Sequence, residues 1–189
     1  MSDYHLQQQQ IIEKDATISI LRANLIGLAI IGLGVIIFIL PHIYIWGGLD
    51  LHIGAWSDFI YILSILLLCI ALHEGIHSLG FRWIAKVPWT QIKFGIKWEY
   101  LTPYTHCKVP VTARAYRWAI MLPGLILGVL PALIGLITGI GVLTLGGAFL
   151  FAAAGGDIAV LWAIRAEKNN ALVLDHPERV GCVILEIVE

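Results

Sequence analysis

Residues 73–77 of this 189-residue chain read His-Glu-Gly-Ile-His. Two histidines four positions apart on a helix project from one face, so a single Zn²⁺ can bridge His73 and His77, with Glu74 beside them to take a proton from metal-bound water. A catalytic zinc commonly keeps three protein ligands and one open position, so the motif asks for a third ligand at the same depth. Asp157 supplies it. It lies eight residues before Arg165, about 12 Å along a helix, while His77 and His73 lie five and nine residues before Arg82, about 7.5 and 13.5 Å. Two imidazoles and one carboxylate make a hydrolytic zinc site, in which the metal activates water and polarises a carbonyl while Glu74 acts as general base. The expected reaction is hydrolysis of a peptide bond, with one Zn²⁺ per chain.

The elements that must hold these residues are membrane helices. Hydrophobic residues make up 59% of the chain and charged residues only 13%, where about 25% is usual in soluble proteins. Lys and Arg nearly balance Asp and Glu, for a net charge of −1, so no basic field recruits nucleic acid. A spanning helix needs about 20 apolar residues. The charge-free stretches predict four spans, at 23–41, 59–81, 118–137 and 143–164, with Pro41 ending the first, Pro123 and Pro131 kinking the third, and the turn before the fourth at Thr138 to Gly141. The first lacks the basic start and small-residue cleavage site of a signal peptide and is expected to stay as an anchor. Span two holds His73, Glu74 and His77, and span four holds Asp157. Buried ionisable groups in a span are costly and mark function by default.

Arg82, Lys86, Lys93, Lys97, Lys108, Arg114 and Arg117 crowd one connection, and Arg165, Lys168 and Arg179 follow the fourth span, whereas 41–58 and the turn near Gly139 have no Lys or Arg. Positive residues favour the cytoplasmic side. The expected architecture is therefore a mainly α integral membrane protein: a polar cytoplasmic segment 1–22, a four-helix domain 23–165 with a cytoplasmic loop 82–117, and a cytoplasmic tail 166–189. Small residues at Gly75, Gly80 and 152–156 suit a close approach of spans two and four.

Within the loop, Gln91 to Tyr100 alternates polar or small with apolar residues, as a half-buried strand does, and a weaker strand at 105–109 completes a small hairpin. The hairpin is expected to lie at the membrane interface with Trp98 and Tyr100 among the headgroups. Alternatively its edge pairs with an extended substrate segment, which would make Ile92, Phe94 and Ile96 substrate-binding residues. Residues 171–174 and 180–188 predict a second hairpin around Asp175 to Glu178, placed to cover the first. Cys69, Cys107 and Cys182 form no CxxC and no disulfide framework. His42 and His52 in the outer connection, and His5, His106 and His176 on the cytoplasmic side, are expected to be solvated or turn residues.

The HEGIH motif near the cytoplasmic end of one span, followed much later by Gly155-Gly156-Asp157-Ile158 in another, resembles the site-2 protease-type membrane zincins, and among them the short four-span zincin peptidases. The likeness runs from about Leu51 onward. It implies His73, His77 and Asp157 as zinc ligands and Glu74 as general base and acid. The aspartate lacks the neighbouring Asn and Pro found in better-characterised relatives, so the resemblance assigns no substrate-orienting groups. The expected partners are the lipid bilayer and a protein or peptide substrate. The competing class is a non-enzymatic membrane metal-binding protein, metal or proton transporter, or scaffold using the same polar cluster.

Overall fold

The computed structural model describes residues 10–51, 54, 56–98, 102–177 and 179–188. His5, His52, Tyr100 and the first nine residues of the polar N-terminal segment lie outside them.

Strand β1 (Gln10–Thr17) leads into α1 (Leu21–Trp46) through Ser19, whose side chain accepts the Arg22 N–H and so satisfies one of the free donors at the helix start. Helix α1 does not end at Pro41. Proline offers no N–H and its ring crowds the carbonyl four residues back, yet the helix absorbs it with a π-turn at Val35–Ile39, where the Leu40 N–H bonds the Val35 carbonyl. The helix then runs on to Trp46 and closes at Gly47, which takes the left-handed conformation (φ +81°). His42 is thereby carried inside the bundle instead of into a solvated connection: it is fully buried, with Nδ1 2.8 Å from the Thr144 hydroxyl.

Helix α2 (Trp56–Trp83) is 28 residues of near-continuous apolar sequence. It is followed by the hairpin β2 (Ile92–Lys97) and β3 (Thr102–Cys107), paired antiparallel with Phe94 opposite Thr105 and Gly95 opposite Tyr104. The second strand starts earlier than its sequence pattern suggests. The short strand β4 (Val111–Thr112) feeds α3 (Ala113–Thr138), whose first turn is capped by the Thr112 hydroxyl. The prolines of α3 do not break it. A π-turn at Gly124–Val129 precedes Pro131, with the Leu130 N–H reaching the Leu125 carbonyl, the same device that precedes Pro41. Gly139 (φ +77°) turns the chain back.

The fourth apolar stretch is not one straight helix. It divides into α4 (Gly141–Ala153) and α5 (Gly155–Ala163), bent by 43° at Ala154. Among the described residues three helices, α1, α2 and α3, are each long and apolar enough to cross a membrane, and the bent pair α4–α5 passes the same test only when taken together. The charge-free run 118–156 does turn back near Gly139, as its length requires. The expected span at 143–164 corresponds to this bent pair, broken where Ala154 leaves the helical conformation (ψ 11°).

Beyond the helices the chain builds more sheet than the sequence suggests. β5 (Leu172–Asp175) and β6 (Gly181–Val188) form the tail hairpin, but it does not simply lie on the loop hairpin. It forms the centre of a four-stranded antiparallel sheet in the order β1-β6-β5-β4, with β2–β3 as a separate two-stranded sheet. The main core lies where this sheet meets the helix ends, and Phe81, Tyr116, Ile164, Val173 and Ile184 are all sealed within it. By contrast, large apolar side chains cover the outside of α1 and α2.

Candidate metal centre and active site

His73, Glu74 and His77 sit in the C-terminal half of α2, where it contacts α3 and the hairpin. Gly80 sets the α2–α3 distance: a Cβ there would fall 2.7 Å from the Ala119 Cα, so only glycine permits this approach. The closeness has a chemical effect. The His77 Nδ1 lies 3.0 Å from the Ala119 carbonyl oxygen, and a carbonyl only accepts, so His77 holds a proton on Nδ1 and turns Nε2 inward. The hairpin secures the same stretch from another side. The Thr105 hydroxyl donates to the Glu74 carbonyl at 2.9 Å, and the Ser78 hydroxyl lies 2.9 Å from the same oxygen and 3.3 Å from Thr105. Gly75 plays no packing role, since a Cβ there would meet nothing within 4 Å.

Asp157 arrives from the first turn of α5, just past the bend at Ala154. Its small neighbours work differently from the sequence expectation. A Cβ on Gly155 would lie 2.9 Å from the Gly27 Cα of α1, and a Cβ on Gly124 of α3 would lie 3.1 Å from the Ala154 Cβ, so the close approaches are to α1 and α3, not to α2. Asp157 nevertheless reaches across to the histidines. Its Oδ2 is 3.0 Å from the His73 Nε2 and its Oδ1 is 3.4 Å from the His77 Nε2. The two imidazole rings stand edge to face, 4.8 Å between centroids.

These contacts test whether the residues suit a metal. With its proton on Nδ1, His77 turns Nε2 toward the Asp157 carboxylate at 3.4 Å, an arrangement that suits a cation held by the two atoms or a proton shared between them. Tetrahedral zinc with arms of about 2.0–2.1 Å places neighbouring ligand atoms about 3.3 Å apart, close to the two separations found here. The donor set therefore fits Zn²⁺. Ligand atoms of His73, Glu74 and His77 also lie within 4.8 Å of one another, so the Glu74 carboxylate stands at the edge of the same site. Among the described residues this is the one such group found, and His106 with Cys107 is not a second.

The hairpin residues divide. In an antiparallel pair, opposed side chains share a face, so Phe94 and Ile96 lie on the face that carries Thr105 to α2. Both are about half exposed, at 53% and 45%. Ile92 starts the same row but is buried beside Phe81 and Cys107 in the core, so it is unavailable to a substrate. Sequence reasoning missed the Ala119 carbonyl and Thr105, because a backbone acceptor and a lone threonine leave no pattern.

Residues 66–172, more than half the chain, match the family described as "Putative zincin peptidase". The matched segment includes the whole HEGIH motif, the hairpin and Asp157, and the chain belongs to this family, whose description implies a zinc cofactor. Comparisons with curated proteins and with solved structures returned no match.

Proposed function

We propose that the protein is an integral membrane zinc peptidase that cleaves peptide bonds at the cytoplasmic edge of the bilayer. The observation that carries this reading is the convergence of His73, His77 and Asp157 from two apolar helices, with Glu74 alongside. His73, His77 and Asp157 hold the zinc, and His77 is oriented for the task by the Ala119 carbonyl. Zinc, when bound, acidifies water and polarises the scissile carbonyl. Glu74 takes the proton from the attacking water and returns it to the leaving amine, which requires a carboxylate held beside the ligands but not committed to the metal. Thr105 and Ser78, bonded to its carbonyl, fix the backbone from which it works.

The membrane placement rests on the helices and on the charges around them. Arg22, Arg82, Arg114 and Arg165 flank the helix ends nearest the sheet, while no Lys or Arg occurs in the connections at the other ends. Exposed Trp83, Trp118 and Trp162 mark the sheet end, and Tyr44, Trp46 and Trp56 the opposite one, as two aromatic belts would. Since β1, β4, β5 and β6 share one sheet, the chain must return to the same side after α1–α2 and again after α3–α5. The bent pair α4–α5 then acts as the fourth crossing, with the sheet in the cytoplasm.

Substrate docking uses the hairpin. Among the described residues β2 pairs only with β3, which leaves its outer edge open to an extended segment, with Phe94 and Ile96 beside it to contact alternate side chains. Zinc content of the purified protein tests the reading directly. One zinc per chain in the wild type and loss in His73→Ala and Asp157→Ala is expected; sub-stoichiometric metal unchanged by either substitution would overturn it. Metal or proton flux through liposomes without proteolysis would favour a transporter instead.

A further inference from the structure

Asp175 ends strand β5, three residues beyond the family-matched segment, and its sequence setting suggests only a turn. Its carboxylate faces inward. Oδ1 accepts the Tyr116 hydroxyl at 2.9 Å, and Oδ2 accepts the Cys107 N–H at 3.2 Å and lies 3.2 Å from the His106 Nδ1. Tyr116 is fully buried, and so is Cys107.

Each grip leads to the zinc site in one structural step. Cys107 follows Thr105 by two residues on β3, so the two share a face, and Thr105 bonds the Glu74 carbonyl. Tyr116 precedes Ala119 by three residues on α3, one helical turn, and the Ala119 carbonyl holds the His77 Nδ1 proton. A single side chain thus grips both elements that flank the zinc-binding helix.

We propose that Asp175 is a positioning residue for the zinc centre: by gripping β3 through Cys107 and α3 through Tyr116, it sets the separation of Thr105 and Ala119 across α2. This inference rests on the zinc peptidase reading. Partners that orient metal ligands typically change metal affinity by about 10–100-fold when lost. Asp175 acts one contact further out, so a loss near the lower end, about 10-fold, is expected.

The experiment uses the full chain in detergent micelles. It measures Zn²⁺ affinity by competition with a chromophoric chelator, the visible d–d spectrum after Co²⁺ loading, and the thermal midpoint. Tyr116→Phe removes one hydroxyl, and Asp175→Asn cannot accept from both Tyr116 and Cys107 while keeping its own N–H groups partnered. Val173→Ala, a cavity in the buried centre of the same strand, lowers stability without touching the grip. Tyr116→Phe and Asp175→Asn should each weaken Zn²⁺ binding about 10-fold and alter the Co²⁺ spectrum, while Val173→Ala, at an equal or larger loss of thermal midpoint, should leave both near wild type. If all three variants shift affinity in proportion to their midpoints, or if the spectra of Tyr116→Phe and Asp175→Asn match wild type, Asp175 is only structural and the inference falls. A wild type that shows no Co²⁺ band overturns the zinc reading itself.

Discussion

Glu74 and the two histidines share less than two turns of helix, but only the histidines are assigned as ligands of the metal, Glu74 acting on the water beside it. Removing the carboxylate charge at Glu74 should therefore separate chemistry from binding. Glu74→Gln is expected to lower proteolysis by about 10²–10⁴-fold, the usual contribution of a general base, with zinc content preserved. Peptide cleavage and metal analysis on one preparation check this; parallel loss of both would remove Glu74 from the role of base. Chelation should abolish activity in the wild type and Zn²⁺ should restore it. These residues were legible in the sequence because their relation is local: four positions on a helix fix a face whatever surrounds it. Asp157 was legible for a different reason, since a carboxylate in an apolar helix is too costly to be idle. What could not be read was the hold on His77, which is a main-chain carbonyl brought close by the absence of a side chain at Gly80.

At the level of the elements, helices α2 and α3 are registered by that glycine. Gly80→Leu forces a side chain into the Ala119 backbone, and overpacking of this kind costs about 1–3 kcal/mol. It should also separate His77 from its acceptor, and zinc affinity is expected to fall by at least about 10-fold. Gly75→Ala, five residues earlier in an open position, should keep full metal content. Metal titration of the two variants checks the contrast, and equal losses would mean that helix spacing at Gly80 is not what orients the site. The helices themselves were readable by length and apolarity. Their interruptions were not, because the effect of a proline depends on whether the preceding turn can widen. The π-turns before Pro41 and Pro131 let both helices continue, which is why His42 is buried against Thr144 rather than solvated. The bend at Ala154 likewise has no proline to announce it.

Taken whole, the molecule is a helical bundle closed at one end by a sheet of strands from distant parts of the chain. β1 escaped detection because Ile11 and Ile12 are adjacent and Glu13-Lys14-Asp15 is a charge run, so no alternation betrays an edge strand that is exposed along much of its length. Its partner β6 carries Cys182, opposite Ala16 and fully buried. Burial first, and the nearby Asp175 carboxylate second, push the Cys182 thiol up to about 12, so at neutral pH it is protonated as well as covered. Cys182 should therefore resist maleimide in the native protein. Deleting residues 1–17 should speed its labelling, and mass spectrometry of the labelled site reads the change; unchanged protection would mean that β1 does not seal the sheet.

The pairing of β1 with β6 also imposes an order on biosynthesis. All of the apolar helices emerge from the ribosome before β6 does, so Gln10–Thr17 must wait for its partner strand until the entire bundle has been made. Asp175 and its neighbours follow the last helix as well. On the proposed reading, every zinc-binding and catalytic side chain is made while the strands that brace them are still to come, and assembly of the sheet becomes the step that completes the site.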